Sequence, residues 1–175
     1  MMALDFKRIL CPVDLSRLSL DALKLSTKLA QSSGATLYLL HVIDNPFDEL
    51  YMTSITQADP ALLEAYRQEP LRRAKVMNAT VEHSKVMLKQ FCHESVEHLS
   101  KVRYLIGTGN PFEKILDAAE SHRIDLIVLA THGRTGVKRL LIGNVAEKVV
   151  RHAPCPVLTV KPRVVTRRGK SGRAR

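Results

Sequence analysis

The chain has 175 residues, 45% of them hydrophobic, which is enough to bury a sizeable core and demands no more than one domain. The opening MMALDFKRIL has no apolar run ahead of its charges, and IDLIVLA is too short to cross a bilayer, so no secretory or membrane-spanning segment is expected and the protein reads as cytoplasmic. The net charge of +10 is concentrated in the last fourteen residues, where Arg163, Arg167, Arg168, Lys170, Arg173 and Arg175 stand without an acid, while the first 161 carry 21 basic and 17 acidic side chains.

Residues 1–161 are therefore expected to form the domain. Residues 162–175 are expected to be a disordered basic tail, read as a solvated terminus in preference to a polyanion-binding arm. Cys11, Cys92 and Cys155 have neither disulfide-framework nor zinc-type spacing and read as reduced thiols, with Cys11 a small core residue.

In chain order, RILCPV (Arg8 to Val13) is a first strand ending at Asp14. Ser16 is the expected cap of a helix whose Leu18, Ala22, Leu25 and Leu29 share a face until Gly34 stops it. ATLYLLHVI (Ala35 to Ile43) is a second strand, continuously apolar as in a parallel sheet covered on both faces. His41 within it reads as a packed or edge residue rather than a base. Asp44 to Pro70, with Asn45-Pro46 and Asp59-Pro60 as breakers around a short ALLEAYRQ helix, is an excursion or lid.

From Leu71 a long helix is predicted on the stripe Ala74, Met77, Val81, Ser84, Leu88, Phe91 and Ser95. KVRYLIG (Lys101 to Gly107) is the third strand. Asn110, Pro111 and Glu113 form a helix start of cap, first-position proline and first-turn acid, with Phe112, Ile115, Leu116 and Ala119 facing inward. RIDLIVLA is the fourth strand. Asn144 and Glu147 repeat the cap-and-acid pattern for a helix with Val145, Val149 and Ala153 on one face, and PVLTV (Pro156 to Val160) is the fifth strand.

Alternation of this kind predicts an α/β fold: an open five-stranded parallel sheet, helices on both faces, strand order 3-2-1-4-5. Such an order puts a switch point between strands 1 and 4, where open sheets bind ligands beyond the carboxyl ends of their strands. Asp14 ends one of those strands. ATHGRTGVKRLLIGNV, Ala130 to Val145, follows the other.

In that loop Gly133, Gly136 and Gly143 allow close backbone approach, Arg134, Lys138 and Arg139 add positive charge, and Asn144 opens a helix N-terminus that favours anions. Phosphate binding and an ordinary strand-to-helix connection both fit these residues. No GxxxxGK[ST] is present, and GTGNPF falls short of GxGxxG. His132 in the loop reads as a backbone-orienting residue and His152 as a charge near a helix C-terminus.

Taken together, KRILCPVDLS, GATLYLLHVID, GNPFEKILDAA and DLIVLATHGRTGVKRLLIGNVAEKVVRHAPCPVLTV resemble the universal stress protein family over Phe6 to Lys161. The pattern of its nucleotide-binding branch, G-x2-G-x9-G-[ST], falls on Ala130, Gly133, Gly143 and Asn144, matching at the second and third glycines. The resemblance implies a Rossmann-like, adenine nucleotide alpha hydrolase-like fold and ATP as ligand, with Mg²⁺ held mainly by phosphate oxygens. It implies Asp14 and the backbone of Val42 around the adenosine, Gly133, Gly143, Asn144 and Val145 around the phosphates, and Pro12, Val13 and Arg134 as further nucleotide-binding residues. It also implies a homodimer through strand 5, at Val157, Leu158, Thr159 and Val160.

The residues offer no nucleophile, base and orienter in one set. The expected function is an ATP-binding regulatory module in stress response. The alternatives are a stress protein acting through its dimer surface without nucleotide, and a slow ATPase or phosphotransferase.

Overall fold

The computed structural model describes residues 6–43, 70–131 and 143–161. The 44–69 excursion, the loop segment with His132, Gly133, Arg134, Gly136, Lys138 and Arg139, and the 162–175 tail lie outside the described residues.

The described elements run β1 (Arg8–Pro12), α1 (Ser19–Ser33), β2 (Thr36–Ile43), α2 (Pro70–Val96), β3 (Val102–Thr108), α3 (Pro111–Ser121), β4 (Leu126–Ala130), α4 (Asn144–His152) and β5 (Val157–Val160). All five strands are parallel in the order β3-β2-β1-β4-β5, as the alternation predicts.

Because side chains alternate across a strand, each apolar run feeds two cores. Ile9, Cys11, Leu37, Leu39 and Val128 pack with Ala22 and Leu23 of α1 and Leu88 and Cys92 of α2. Leu10, Leu40, Ile127 and Leu129 face the other way, against Ile115 and Ala119 of α3 and Ala146 and Val149 of α4. Each fully buried leucine or isoleucine stabilises the fold by about 1.5–3 kcal/mol.

Helix α1 departs from its expected stripe. Its buried face is Ser19, Ala22, Leu23, Ser26, Thr27 and Ala30, with Leu25 and Leu29 half-buried beside it. The inner hydroxyls are satisfied within the helix, since Ser26 Oγ and Thr27 Oγ1 donate to the Leu23 carbonyl at 2.8 and 2.9 Å. Gly34 closes the helix at φ 68°, a left-handed turn that costs glycine little.

Helix α2 starts at Pro70 and buries Thr80, Ser84, Leu88, Cys92 and Val96. Ser84 and Leu88 were on the predicted stripe, whereas Val81 and Phe91 are half-buried next to the smaller Thr80 and Cys92 that point inward. Helix α3 begins as its sequence dictates: Asn110 Oδ1 accepts the Phe112 amide at 3.0 Å, and Pro111 follows.

At the amino ends of the strands, Asp125 ties β4 to β1. Its carboxylate accepts the Lys7 and Arg8 amides at 2.9 and 2.7 Å and meets the Arg8 guanidinium at 3.4 Å. The opposite, carboxyl ends are left for the site.

Candidate functional site

Strands β1 and β4 pair only at Ile9↔Leu126 and Leu10↔Ile127, while the β1–β2 ladder continues to Pro12↔Leu40 and the β4–β5 ladder to Ala130↔Val160. Even-numbered residues of β1 face β4, so the next rung would need an N–H from Pro12, which has none, and the β1–β4 ladder ends at Leu10↔Ile127. The carboxyl ends of β1 and β4 are the two lips of the switch point, where the strand order anticipates a ligand crevice.

One lip is the end of β1. Val13 is buried, and its amide donates to the Leu40 carbonyl at 2.8 Å. Asp14 Oδ1 accepts the Ser16 amide at 3.0 Å, closing a tight turn around Leu15 at φ 60°. A non-glycine residue in that region stores on the order of 1 kcal/mol, offset by the packing of the Leu15 side chain against the core. The same turn corrects the expectation for Ser16. With its amide engaged by Asp14, Ser16 stays outside the helix and its carbonyl receives the Ser19 amide at 3.2 Å and Ser19 Oγ at 2.8 Å, so α1 begins at Ser19 without a side-chain cap.

The other lip is the junction of β4 and α4. Thr131, buried beyond the end of β4, donates its amide to the Val160 carbonyl at 3.0 Å. Its own carbonyl accepts the Gly143 amide at 2.7 Å, so the chain leaves β4 and re-enters α4 at one point. Gly143 is the helix cap residue, at φ −59° and ψ 150°, a conformation open to any residue.

One expectation is thereby corrected. Asn144 is the first helical residue and makes no capping bond, because the chain enters the helix one residue earlier, through the amide held by Thr131. Gly143 uses neither a left-handed turn nor a spare amide, which leaves Asn144 and Val145 to present the first-turn N–H groups at the positive end of α4. Val145 is turned outward, 37% exposed, and the inward face belongs to Ala146 and Val149.

Between these lips and β3 lies β2. Val42 pairs with Gly107, and the neighbouring His41 is buried with Nδ1 bonded to the Val13 carbonyl at 2.8 Å. A carbonyl only accepts, so Nδ1 carries the proton. Neither His41 nor Thr131 was singled out for this role from sequence, because each acts through a carbonyl on another strand. Of the expected site residues, Pro12, Val13, Asp14 and Val42 lie at the carboxyl ends of β1 and β2, and Gly143, Asn144 and Val145 at the α4 N-terminus. Gly133 and Arg134 fall outside the described residues.

Other features do not involve the residues expected around the nucleotide. A cavity of about 600 Å³ between α1 and the end of α2 mixes Lys24, Lys28 and Lys161 with Asp21 and Glu94. Burial pushes the Cys11 and Cys92 thiols up to about 12, so both behave as inert core residues. Among the described residues no group of three or more His, Cys, Asp or Glu is placed to hold a metal, and no helix is long and apolar enough to cross a membrane.

A family model described as the universal stress protein family matches residues 5–161. Universal stress protein MJ0531 of Methanocaldococcus jannaschii is 34% identical over 157 residues, 89% of this chain and 82% of that protein. Universal stress protein MJ0577 of the same organism is 29% identical over 160 residues. Its solved structure covers 92% of this chain and 99% of its own with a TM-score of 0.69. A family protein from Arabidopsis thaliana, solved with AMP bound, shares the fold at 22% identity and a TM-score of 0.54, covering 90% of this chain and 92% of its own.

Proposed function

The chain belongs to the universal stress protein family, and from that premise we propose that it is an adenine nucleotide-binding regulatory module that works as a homodimer in the cytoplasm. The observation that carries the reading is the switch point between β1 and β4, with Asp14 following the carboxyl end of β1 and the α4 N-terminus at Asn144 and Val145 following that of β4. Solved relatives hold ligands of this class, one in complex with cAMP and one with AMP.

In this reading Pro12, Val13, Asp14 and the Val42 backbone hold the adenosine. The α4 N-terminus, with Gly133, Arg134, Gly143, Asn144 and Val145 around it, receives the phosphates, because first-turn amides and the helix dipole favour anions. The donor set suits ATP. A Mg²⁺ ion would be held by phosphate oxygens, and Asp14 is the one carboxylate of the proposed set.

Two features support a regulatory role through a dimer. Strand β5 is an edge of the sheet and exposes 38% of Leu158, next to Val157, Thr159 and Val160, so a second copy is the natural cover for it. Thr131 joins the two regions: its carbonyl holds the start of α4 and its amide holds Val160. A ligand that tightens the crevice would bear directly on the end of β5. Residues 1–161 constitute the module, and the basic 162–175 segment is an appendage capable of polyanion contact.

Titration of the full chain with Mg-ATP by calorimetry tests the proposal. Saturable binding near one nucleotide per chain supports it. No heat and no thermal shift at saturating Mg-ATP would leave the family's non-nucleotide mode of action through the dimer surface.

A further inference from the structure

We infer that His41 is a positioning residue: its imidazole takes the Val13 carbonyl and so keeps β1 and β2 from zipping further, which aims the Val42 amide into the crevice. The inference rests on the nucleotide reading above for its consequence, but its geometry stands independently.

The direction of each β2 peptide group is fixed by its neighbours. Thr36 donates to the Lys7 carbonyl and Leu40 accepts from the Val13 amide, so even-numbered residues of β2 turn their N–H and C=O toward β1. Leu37 donates to the Lys101 carbonyl and Ile43 accepts from the Gly109 amide, so odd-numbered residues turn theirs toward β3. Val42, being even, faces the β1 side. In a parallel ladder the partner that follows a Val13-to-Leu40 bond is Val42 N–H donating to the Val13 carbonyl.

That rung is replaced. The β1–β2 register stops at Pro12↔Leu40, and the Val13 carbonyl is bonded by His41 Nδ1 at 2.8 Å, with the residue 5% exposed and on a strand inside the sheet. Val42 then presents a donor and an acceptor side by side at the mouth of the crevice. Adenine carries the complementary pair, a ring-nitrogen acceptor beside an exocyclic N–H₂, whereas guanine carries the reverse on its equivalent edge. By holding the rung open, His41 makes the base-reading edge available and favours adenine.

The test compares the full-length wild type with His41→Asn, His41→Gln and His41→Leu. Asparagine places an amide N–H₂ where Nδ1 stands, glutamine places it one methylene further, and leucine supplies none. Calorimetry with ATP, GTP and inorganic tripolyphosphate should show His41→Gln and His41→Leu weakening ATP about tenfold, the scale of one hydrogen bond, with tripolyphosphate unchanged and the ATP preference over GTP reduced. His41→Asn should stay within about threefold of wild type for ATP.

Amide hydrogen exchange at Val42 in the ligand-free protein reads the same point without nucleotide. Exchange should slow in His41→Gln and His41→Leu as the Val42 amide closes onto the Val13 carbonyl, and match wild type in His41→Asn. Unchanged Val42 exchange and unchanged ATP preference in folded His41→Gln or His41→Leu would overturn the inference. If the wild type itself bound no ATP, the proposed function would fall, while the Val42 exchange rates would still decide the role of His41.

Discussion

The Gly143 amide donates to the Thr131 carbonyl at 2.7 Å, and this bond ties the start of α4 to the end of β4. Through the Thr131 amide on Val160, the same residue also holds the end of β5. A local reading of the loop between them gives its composition but not this closure.

Asn144 lies at the first helical position and makes no capping bond, so Asn144→Ser removes no helix cap. The change is expected to alter stability by no more than about 0.5 kcal/mol, measured by urea denaturation. ATP affinity is expected to stay equal or to improve, because serine brings a hydroxyl to the first-turn amides. A large loss of affinity would show that the asparagine amide itself grips the ligand.

Asp14 has two roles that substitution can separate. Asp14→Asn keeps an oxygen to accept the Ser16 amide and therefore keeps the turn at Leu15, while Asp14→Ala loses that bond. Asp14→Ala is expected to cost about 0.5–1.5 kcal/mol of stability, and Asp14→Asn markedly less. Both should weaken Mg-ATP binding about tenfold if the carboxylate meets the nucleotide. Wild-type affinity in a stably folded Asp14→Asn would remove Asp14 from the site.

Asp125, at the opposite end of the sheet, provides a pH signature. Burial alone would raise its carboxyl, but the Lys7 and Arg8 amides and the Arg8 guanidinium outweigh it and hold the carboxyl below the usual range. A group depressed in the folded state contributes stability above its unfolded value and loses it as pH falls through the folded one. Asp125→Ala is therefore expected to destabilise the protein by about 1–3 kcal/mol at neutral pH and to flatten the acid limb of its stability profile, with ATP affinity unchanged. Chemical denaturation across the acid range checks this.

Leu158 sits on the open edge of β5. Leu158→Glu puts a charge there and is expected to shift the protein from twice the chain mass to the 19.6 kDa monomer in light scattering. A monomeric wild type, or an unchanged dimer in the variant, would place the contact elsewhere or abolish it.

The sheet was legible because its strands are short, continuously apolar runs separated by helical periods, and parallel connection leaves few orders open. The α3 start was legible because Asn110, Pro111 and Glu113 act on their own neighbours. The starts of α1 and α4 were not. Asp14 claims the Ser16 amide, and Thr131 claims the Gly143 amide from across an intervening loop, so the residues that look like caps are displaced. The inner face of α1 was misread for a related reason: Ser26 and Thr27 satisfy themselves on the Leu23 carbonyl and can be buried in place of leucines. The position of the switch point followed from the strand order, and the family resemblance alone supplied the residues expected around it, whereas His41 and Thr131 depended on carbonyl partners brought together only by folding.

Hydrogen exchange of the full chain with and without saturating Mg-ATP tests the central claim most directly. Protection is expected at residues 12–16, at 41–43 and at 143–146, on both lips of the crevice and the strand between them. Protection confined to the α1–α2 cavity around Lys24 and Lys28, or no protection at any of these segments, would contradict it.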